Sequence, residues 1–342
     1  MLAMMPLLRR SFVIVALFAS ASMCRAAEPM KVGIIGLDTS HVTAFTGAIN
    51  KAKDDSPLAG LRVVAAYPGG SPDISSSASR LEGFTEALRG QGVEIVDSIE
   101  ALLPKVDAIL LESVDGRPHL AQARVVFEAN RKSEKKKPMF IDKPIAASLA
   151  DTLEIFRLAA ETGTPCFSTS SLRYYPGIAA VREEGAFGDI IGCMAYGPCS
   201  LEEHHPDLFW YGIHGVEVLF TIMGPGCESV QCTATPDTHV VTGVWKDGRV
   251  GTFRGIRSGK SGYGAYVFGS KAAGPTEERK GGGYGPMLAK IAEFFKTGVP
   301  PIEPAVTTEL VAFMEAADES KRANGATVKL ADVMAKASAA KK

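Results

Sequence analysis

The sequence predicts an α/β protein. A doubly wound parallel sheet comes first, and an α+β domain with an open, largely antiparallel sheet follows. Three observations lead there. Short apolar runs alternate with helical stretches through the first half. The connections between them are short, which suits a sheet covered on both faces. Beyond Gly188 the pattern changes to strand-like runs joined by turn residues. A chain of 342 residues is too long for one ordinary core and suits two domains once a leader is removed.

That leader is residues 1–27. Arg9 and Arg10 give a positive start, and Phe12 to Ala21 is an apolar run of signal-peptide length. Cys24, Arg25 and Ala26 place small residues where a signal peptidase reads them. Arg9-Arg10-Ser11-Phe12-Val13 resembles a twin-arginine signal, the kind that exports folded proteins. The same residues also serve an ordinary secretory signal. Met23 before Cys24 argues against lipidation. The run is too short to span a bilayer comfortably, and no later run approaches that length. The mature chain is therefore expected to be periplasmic or extracellular, with no stable membrane span.

The first domain is expected over residues 28–148. Met30 to Leu37 is a strand ending at glycine, and Asp38 is placed to cap the helix that follows. Leu61 to Tyr67, Val93 to Val96, Val106 to Leu111 and Met139 to Ile141 are further strands. Helices lie between them, around Ser76 to Arg89, Ser98 to Leu103 and His119 to Asn130. The second domain takes residues 149–342. It opens with a helix from Asp151 to Glu161 and another after Pro176. Strands are expected at Ile190 to Tyr196, Ser229 to Ala234, Thr238 to Trp245, Val250 to Ile256 and Ala265 to Phe268. Asp247-Gly248 makes the hairpin turn between two of them. Helices at Met287 to Lys296 and Thr307 to Asn324 close the chain, with a frayed Lys341-Lys342 end.

Composition narrows the function. Hydrophobic residues are 46%, charged residues 22%, and the formal net charge is -1. That balance gives no basic footprint for nucleic acid. Cys166, Cys193, Cys199, Cys227 and Cys232 remain after the leader. An odd number leaves at least one unpaired, and small buried hydrophobes are the expected role.

The ordered motifs resemble the glucose–fructose oxidoreductase, inositol dehydrogenase and rhizopine-catabolism (Gfo/Idh/MocA) family. The resemblance rests on Lys31 to Gly36 (KVGIIG), Phe140 to Ala146 (FIDKPIA), Arg173 to Pro176 (RYYP), Gly188 to Gly192, Gly212 to Glu217 (GIHGVE) and Ile291 to Gly298. It implies a Rossmann domain, NAD or NADP as cofactor, and a sugar, polyol or glycoside as substrate. It also implies a homo-oligomer joined through the late sheet.

The resemblance makes Lys143 and His214 the catalytic pair. A lysine at a strand end can bond a substrate hydroxyl and help move its proton, and the proline after it ends the strand. Imidazole titrates near neutrality and suits the partner role. Trp210 stands where family members usually carry an aspartate, four residues before this histidine. Glu217 is placed to orient the ring. Arg173, Tyr174, His205 and Tyr211 are candidate substrate contacts, through bidentate bonding, aromatic faces and hydroxyls. Adjacent His204 and His205 point differently and no third ligand has recognisable spacing, so no metal is expected there.

The cofactor loop departs from the pattern. Gly33, Gly36, Asp38, Thr39, Ser40, His119 and Lys143 are the candidate cofactor contacts. A dinucleotide fingerprint wants G-x-G-x-x-G, yet Asp38 takes the second position and His41 the third. Tyr67 to Ser71 also lacks the acidic residue that would hold the ribose. Two alternatives follow from this loop. One is a lyase or glycoside-cleaving enzyme with tightly held NAD and no net redox. The other is a carbohydrate-binding or accessory protein that has lost its cofactor.

Overall fold

The computed structural model describes residues 28–276 and 282–340. The leader and the Lys341-Lys342 end lie outside the described residues.

The first half winds as its alternation requires. Strand β1 (Met30–Ile35) leads to α1 (His41–Asn50), β2 (Leu61–Tyr67) to α2 (Ser75–Gly90), and β3 (Glu94–Ile95) to the single turn α3 (Ile99–Leu102). Then come β4 (Ala108–Leu111), α4 (His119–Arg131), β5 (Met139–Ile141), α5 (Leu149–Thr162) and β6 (Cys166–Ser168). All six strands run parallel in the order β3-β2-β1-β4-β5-β6. The order reverses between β1 and β4. A crevice opens there at the carboxyl edge, where open α/β sheets bind ligands. The sheet continues to Ser168, past the boundary at 148, because α5 is the crossover that returns the chain to β6.

Apolar β1 explains why the sheet forms. Val32, Ile34 and Ile35 are fully buried, as parallel strands require when helices cover both faces. Ser98 and Ser148 cap α3 and α5 by accepting from the backbone N–H of Ala101 and Asp151, each at 3.1 Å. Asp38 does not cap α1. Ser40 stands at that position, and Asp38 turns inward.

The second half begins at α6 (Pro176–Glu183), after a tight 3-10 turn at Ser171–Tyr174. Strand β7 (Ile190–Pro198) is followed by a π-helical turn, Leu208–Gly212, that runs into α7 (Ile213–Met223). A mixed sheet then forms from β8 (Cys227–Thr235), β9 (Thr238–Trp245), β10 (Val250–Ile256), β11 (Gly264–Gly269) and β12 (Ala273–Pro275). With the short β13 (Val328–Lys329) at one edge, its order is β12-β11-β7-β10-β9-β8-β13, and only β7 and β10 pair in parallel. Helices α8 (Gly285–Thr297) and α9 (Pro304–Arg322), strand β13 (Val328–Lys329) and α10 (Leu330–Ala339) complete the described chain.

Two packing details position the site. Helix α8 crosses back to the first sheet, where Phe294 meets Phe167 of β6 edge-on at 4.8 Å. Helix α7 lies against β10 with Gly215 over Phe253. A Cβ at Gly215 would meet that ring at 2.1 Å, so only glycine permits the approach. The five cysteines are all buried and free, and burial pushes the Cys166 thiol up to about 12. No described helix is long and apolar enough to cross a membrane.

Candidate active site between the two domains

A cavity of about 300 Å³ lies between the carboxyl edge of the first sheet and helix α7. Lys143 enters from the end of β5, and His214 from the first turn of α7. Thr39, Ser40 and Tyr211 line it too. Five of the residues picked from sequence therefore share one space. The peptide between Lys143 and Pro144 is cis. The lysine ammonium stands 6.0 Å from the centre of the Tyr211 ring, within cation–π reach.

His214 is held in place. Its Nδ1 lies 2.7 Å from Ser170 Oγ, and the rings of Tyr211 and Tyr263 meet it edge-on at 5.7 Å. With Nδ1 engaged, Nε2 is the nitrogen left for proton transfer. Burial, reinforced by the charge of Lys143, pushes the imidazole well below its ordinary pKa. Both causes favour the neutral form of the ring. Ser170, not Glu217, orients it. Glu217 instead accepts from Thr169 Oγ1 at 2.9 Å and from Arg173 Nε.

Other expected contacts sit elsewhere. Arg173 is turned to the buried Glu217 and so braces α7 from behind. Tyr174 packs with the first-sheet core, while its neighbour Tyr175 reaches the cavity. The 3-10 turn causes this exchange, since it sends consecutive side chains to different sides. His205 is buried against Asp115, with Nε2 3.1 Å from Oδ1. His119 is fully buried, its ring nitrogens 3.2 Å from Ile145 O and 2.8 Å from Ser113 O. Gly33 faces the core, where a Cβ would press on Val106 and Leu102. Trp210, which takes the place of the family aspartate, lines the cavity, as do Tyr263 and Tyr284, which carry no sequence signal beyond their aromaticity.

The switch-point crevice is built differently. Gly36 has φ +88, and a Cβ there would meet Ser113 backbone at 2.4 Å, so the tight turn after β1 is intact. Past it, the chain's own side chains occupy the space. Ser77 Oγ donates to Asp38 Oδ2 at 2.6 Å, and Val114 N donates to Oδ1 at 2.9 Å. Burial raises the Asp38 carboxyl above its ordinary range, partly offset by these two bonds. At the ribose end, Ser71 Oγ donates to Asp115 at 2.6 Å. Arg117 joins Asp115 to Asp73, with its Nη1 2.8 Å from Asp73 Oδ2. The loops after β2 and β4 are thus tied together.

These observations test the fit of a dinucleotide. Its pyrophosphate needs close backbone approach and free helix-terminal N–H groups. Here Asp38 and His41 stand at the second and third fingerprint positions, Asp38 turned inward to Ser77 and Val114, and the Arg117 bridge joins the loops after β2 and β4. A dinucleotide at this crevice is therefore held without the second and third glycines of the fingerprint.

No protein-family model and no curated protein sequence matches the chain. Solved structures do. A "probable dehydrogenase" of Thermotoga maritima is 20% identical, covers 89% of this chain and 100% of its own, and has a TM-score of 0.70. The myo-inositol 2-dehydrogenase of Lactobacillus plantarum is 15% identical over 88% and 99% of the two chains, with a TM-score of 0.68. An oxidoreductase of Agrobacterium radiobacter, solved with NAD+, L-tartaric acid and magnesium, is 17% identical over 89% and 99%, with a TM-score of 0.65. The architecture is that of two-domain dehydrogenases and oxidoreductases. In particular, the chain has the Gfo/Idh/MocA fold.

Proposed function

We propose that the chain is an exported enzyme on this oxidoreductase fold. It acts at a hydroxyl-bearing carbon of a sugar, polyol or glycoside. One observation carries the reading: Lys143 and His214, from separate domains, converge on one cavity. Lys143 polarises the substrate oxygen. His214, kept neutral by burial and Lys143, takes up the proton at Nε2. Tyr211, Tyr263 and Trp210 offer the aromatic faces that sugar rings pack against.

NAD or NADP is the redox partner supported by the fold and by the NAD-bound neighbours. The filled crevice favours a second reading, in which the same pair moves protons with no dinucleotide and no net redox. The test is direct. The mature protein is purified from a host that exports it folded, then denatured, and released NAD or NADP is measured by absorbance and mass. Release at one per chain supports hydride transfer. No release, with turnover of a sugar or polyol that Lys143→Ala abolishes, supports the second reading. Neither release nor turnover overturns the enzyme proposal.

The second sheet supports a further proposal, a homo-oligomer. Ile191, Met194, Tyr196, Tyr266 and Phe268 are all exposed on β7 and β11, an apolar surface larger than scattered single residues give. Light scattering of the purified protein decides it: a monomer mass at micromolar concentration overturns the proposal.

A further inference from the structure

The carboxyl ends of β1, β4 and β5 bring together three side chains that the proton chemistry above does not use. His41 opens α1, Glu112 follows β4, and Asp142 follows β5. His41 Nδ1 lies 2.9 Å from Asp142 Oδ2 and 3.4 Å from Glu112 Oε2. One donor atom from each residue falls within 4.8 Å of the others. The side chains are 12%, 0% and 2% exposed.

The hydrogen bonds of this group do not close. His41 Nδ1, both oxygens of Glu112 and both oxygens of Asp142 lack a hydrogen-bond partner among the described residues. The 2.9 Å contact brings charges together without the alignment of a hydrogen bond. Leaving a buried carboxylate unserved costs several kcal/mol, by order of magnitude. An imidazolium would face one oxygen of each acid and bring one positive charge to two buried carboxylates. The ring is also fixed. It stacks on Phe45 at 5.1 Å and meets Tyr284 edge-on at 4.8 Å. Aromatic walls on two sides hold Nδ1 toward the acids.

We propose that His41, Glu112 and Asp142 bind one divalent cation, through Nδ1 and one carboxylate oxygen from each acid. The cation gives a partner to three of the five atoms, and its two positive charges offset both carboxylates, which a single imidazolium does not. One imidazole with two carboxylates, and no thiolate, suits Mn²⁺, Fe²⁺ or Zn²⁺. Three protein ligands leave coordination positions open. Because His41 is also part of the cavity wall, an ion here would lie beside the Lys143 and His214 pocket. The site replaces the third glycine of a dinucleotide fingerprint with a ligand. The inference concerns binding and does not rest on the substrate reading.

The experiment is metal titration of the full mature protein after chelator treatment and dialysis, using Mn²⁺, Co²⁺ and Zn²⁺ in separate calorimetric runs. One ion per chain is expected. Glu112→Gln and His41→Ala should each weaken binding by at least about tenfold. His204→Ala is the control, since Glu202, Glu203 and His204 form the other group of donors close enough together, at the surface. It should leave the stoichiometry unchanged. If a variant fails to fold by circular dichroism, Mn²⁺ broadening of the His41 ring signals in the wild type takes its place. Absence of binding by the wild type overturns the proposal. So does binding that survives Glu112→Gln, is lost in His204→Ala, or leaves the His41 signals sharp.

Discussion

The carboxyl edge of the first sheet has two ends, and the chain treats them differently. Over β5, where α7 comes near, the edge opens into a cavity with a lysine and an uncharged histidine at its wall. Beyond the Thr39, Ser40 and His41 wall of that cavity, the ends of β1 and β4 are filled by Asp38, Glu112 and the Arg117 bridge. Both ends belong to one fold, and solved structures of that fold include NAD complexes. The fold therefore fixes where a ligand can lie, while a few loop residues decide which ligand fits. Keeping Gly36 while replacing the other two fingerprint positions separates the turn from the cradle: the backbone path survives, and Asp38 and His41 line it in place of glycine.

The largest expected effect sharpens the open end. Lys143→Ala and His214→Ala should each lower turnover by about 10²–10⁴-fold, the usual range for a lost acid or base. Melting temperature should move little for Lys143→Ala, because its side chain stands at a cavity wall. A stable variant with unchanged rates would break the assignment.

The next prediction concerns the turn shared by both ends. Gly36→Ala should destabilise by at least about 3 kcal/mol, since the new Cβ would meet Ser113 backbone at 2.4 Å and φ is +88. Urea unfolding measures it. A cost below 1 kcal/mol, by rough threshold, would mean the loop relaxes freely.

A smaller effect probes the filled end. Asp38→Ala removes the acceptor of Ser77 Oγ and of the buried Val114 N–H, and should cost about 1–3 kcal/mol. The double variant Asp38→Gly with His41→Gly recreates the fingerprint and should gain measurable NAD affinity by calorimetry. If it gains none, the Arg117 bridge and Glu112 exclude the dinucleotide by themselves.

The smallest effect lies away from both ends and calibrates the electrostatics. Burial, with the nearby charge of Asp207, lifts Asp318 from an ordinary 3.8 to about 7, against the pull of Arg322 and Lys321. The folded state then binds more protons than the unfolded one between those values. Stability from this group falls as pH rises through that window. Asp318→Asn should leave the melting temperature almost unchanged at pH 4 and raise it by several degrees at pH 8. Equal shifts at both pH values would contradict the assignment.

Much of this architecture is legible in the chain. The glycine after β1, the apolar runs of β2 and β4 and the Asp247-Gly248 turn each state their structure locally. Strand β6 does not, because three residues after Pro165 carry too little periodicity to read. Helix α10 is short and rich in alanine, so only its packing on α5 and α9 marks a buried face. At the site, Lys143 and His214 stand out because each lies in a recognisable run. Tyr175 was one position from a residue that was picked, and a 3-10 turn decides between them. The His41 group is only partly legible: Glu112 reads as a polar residue at the carboxyl edge and Asp142 as part of the D-K-P run, but nothing local joins them to His41. Two members follow β4 and β5 and the third opens α1, and only the parallel topology brings those ends together. In sequence, His41 reads merely as a missing glycine.

The most direct test of the central claim, that the switch-point crevice gathers His41, Glu112 and Asp142 around a divalent ion beside the Lys143 and His214 cavity, is native mass spectrometry of the purified mature protein. The expected mass includes one divalent ion per chain. A mass with no ion after incubation with Mn²⁺ or Zn²⁺ would contradict the account.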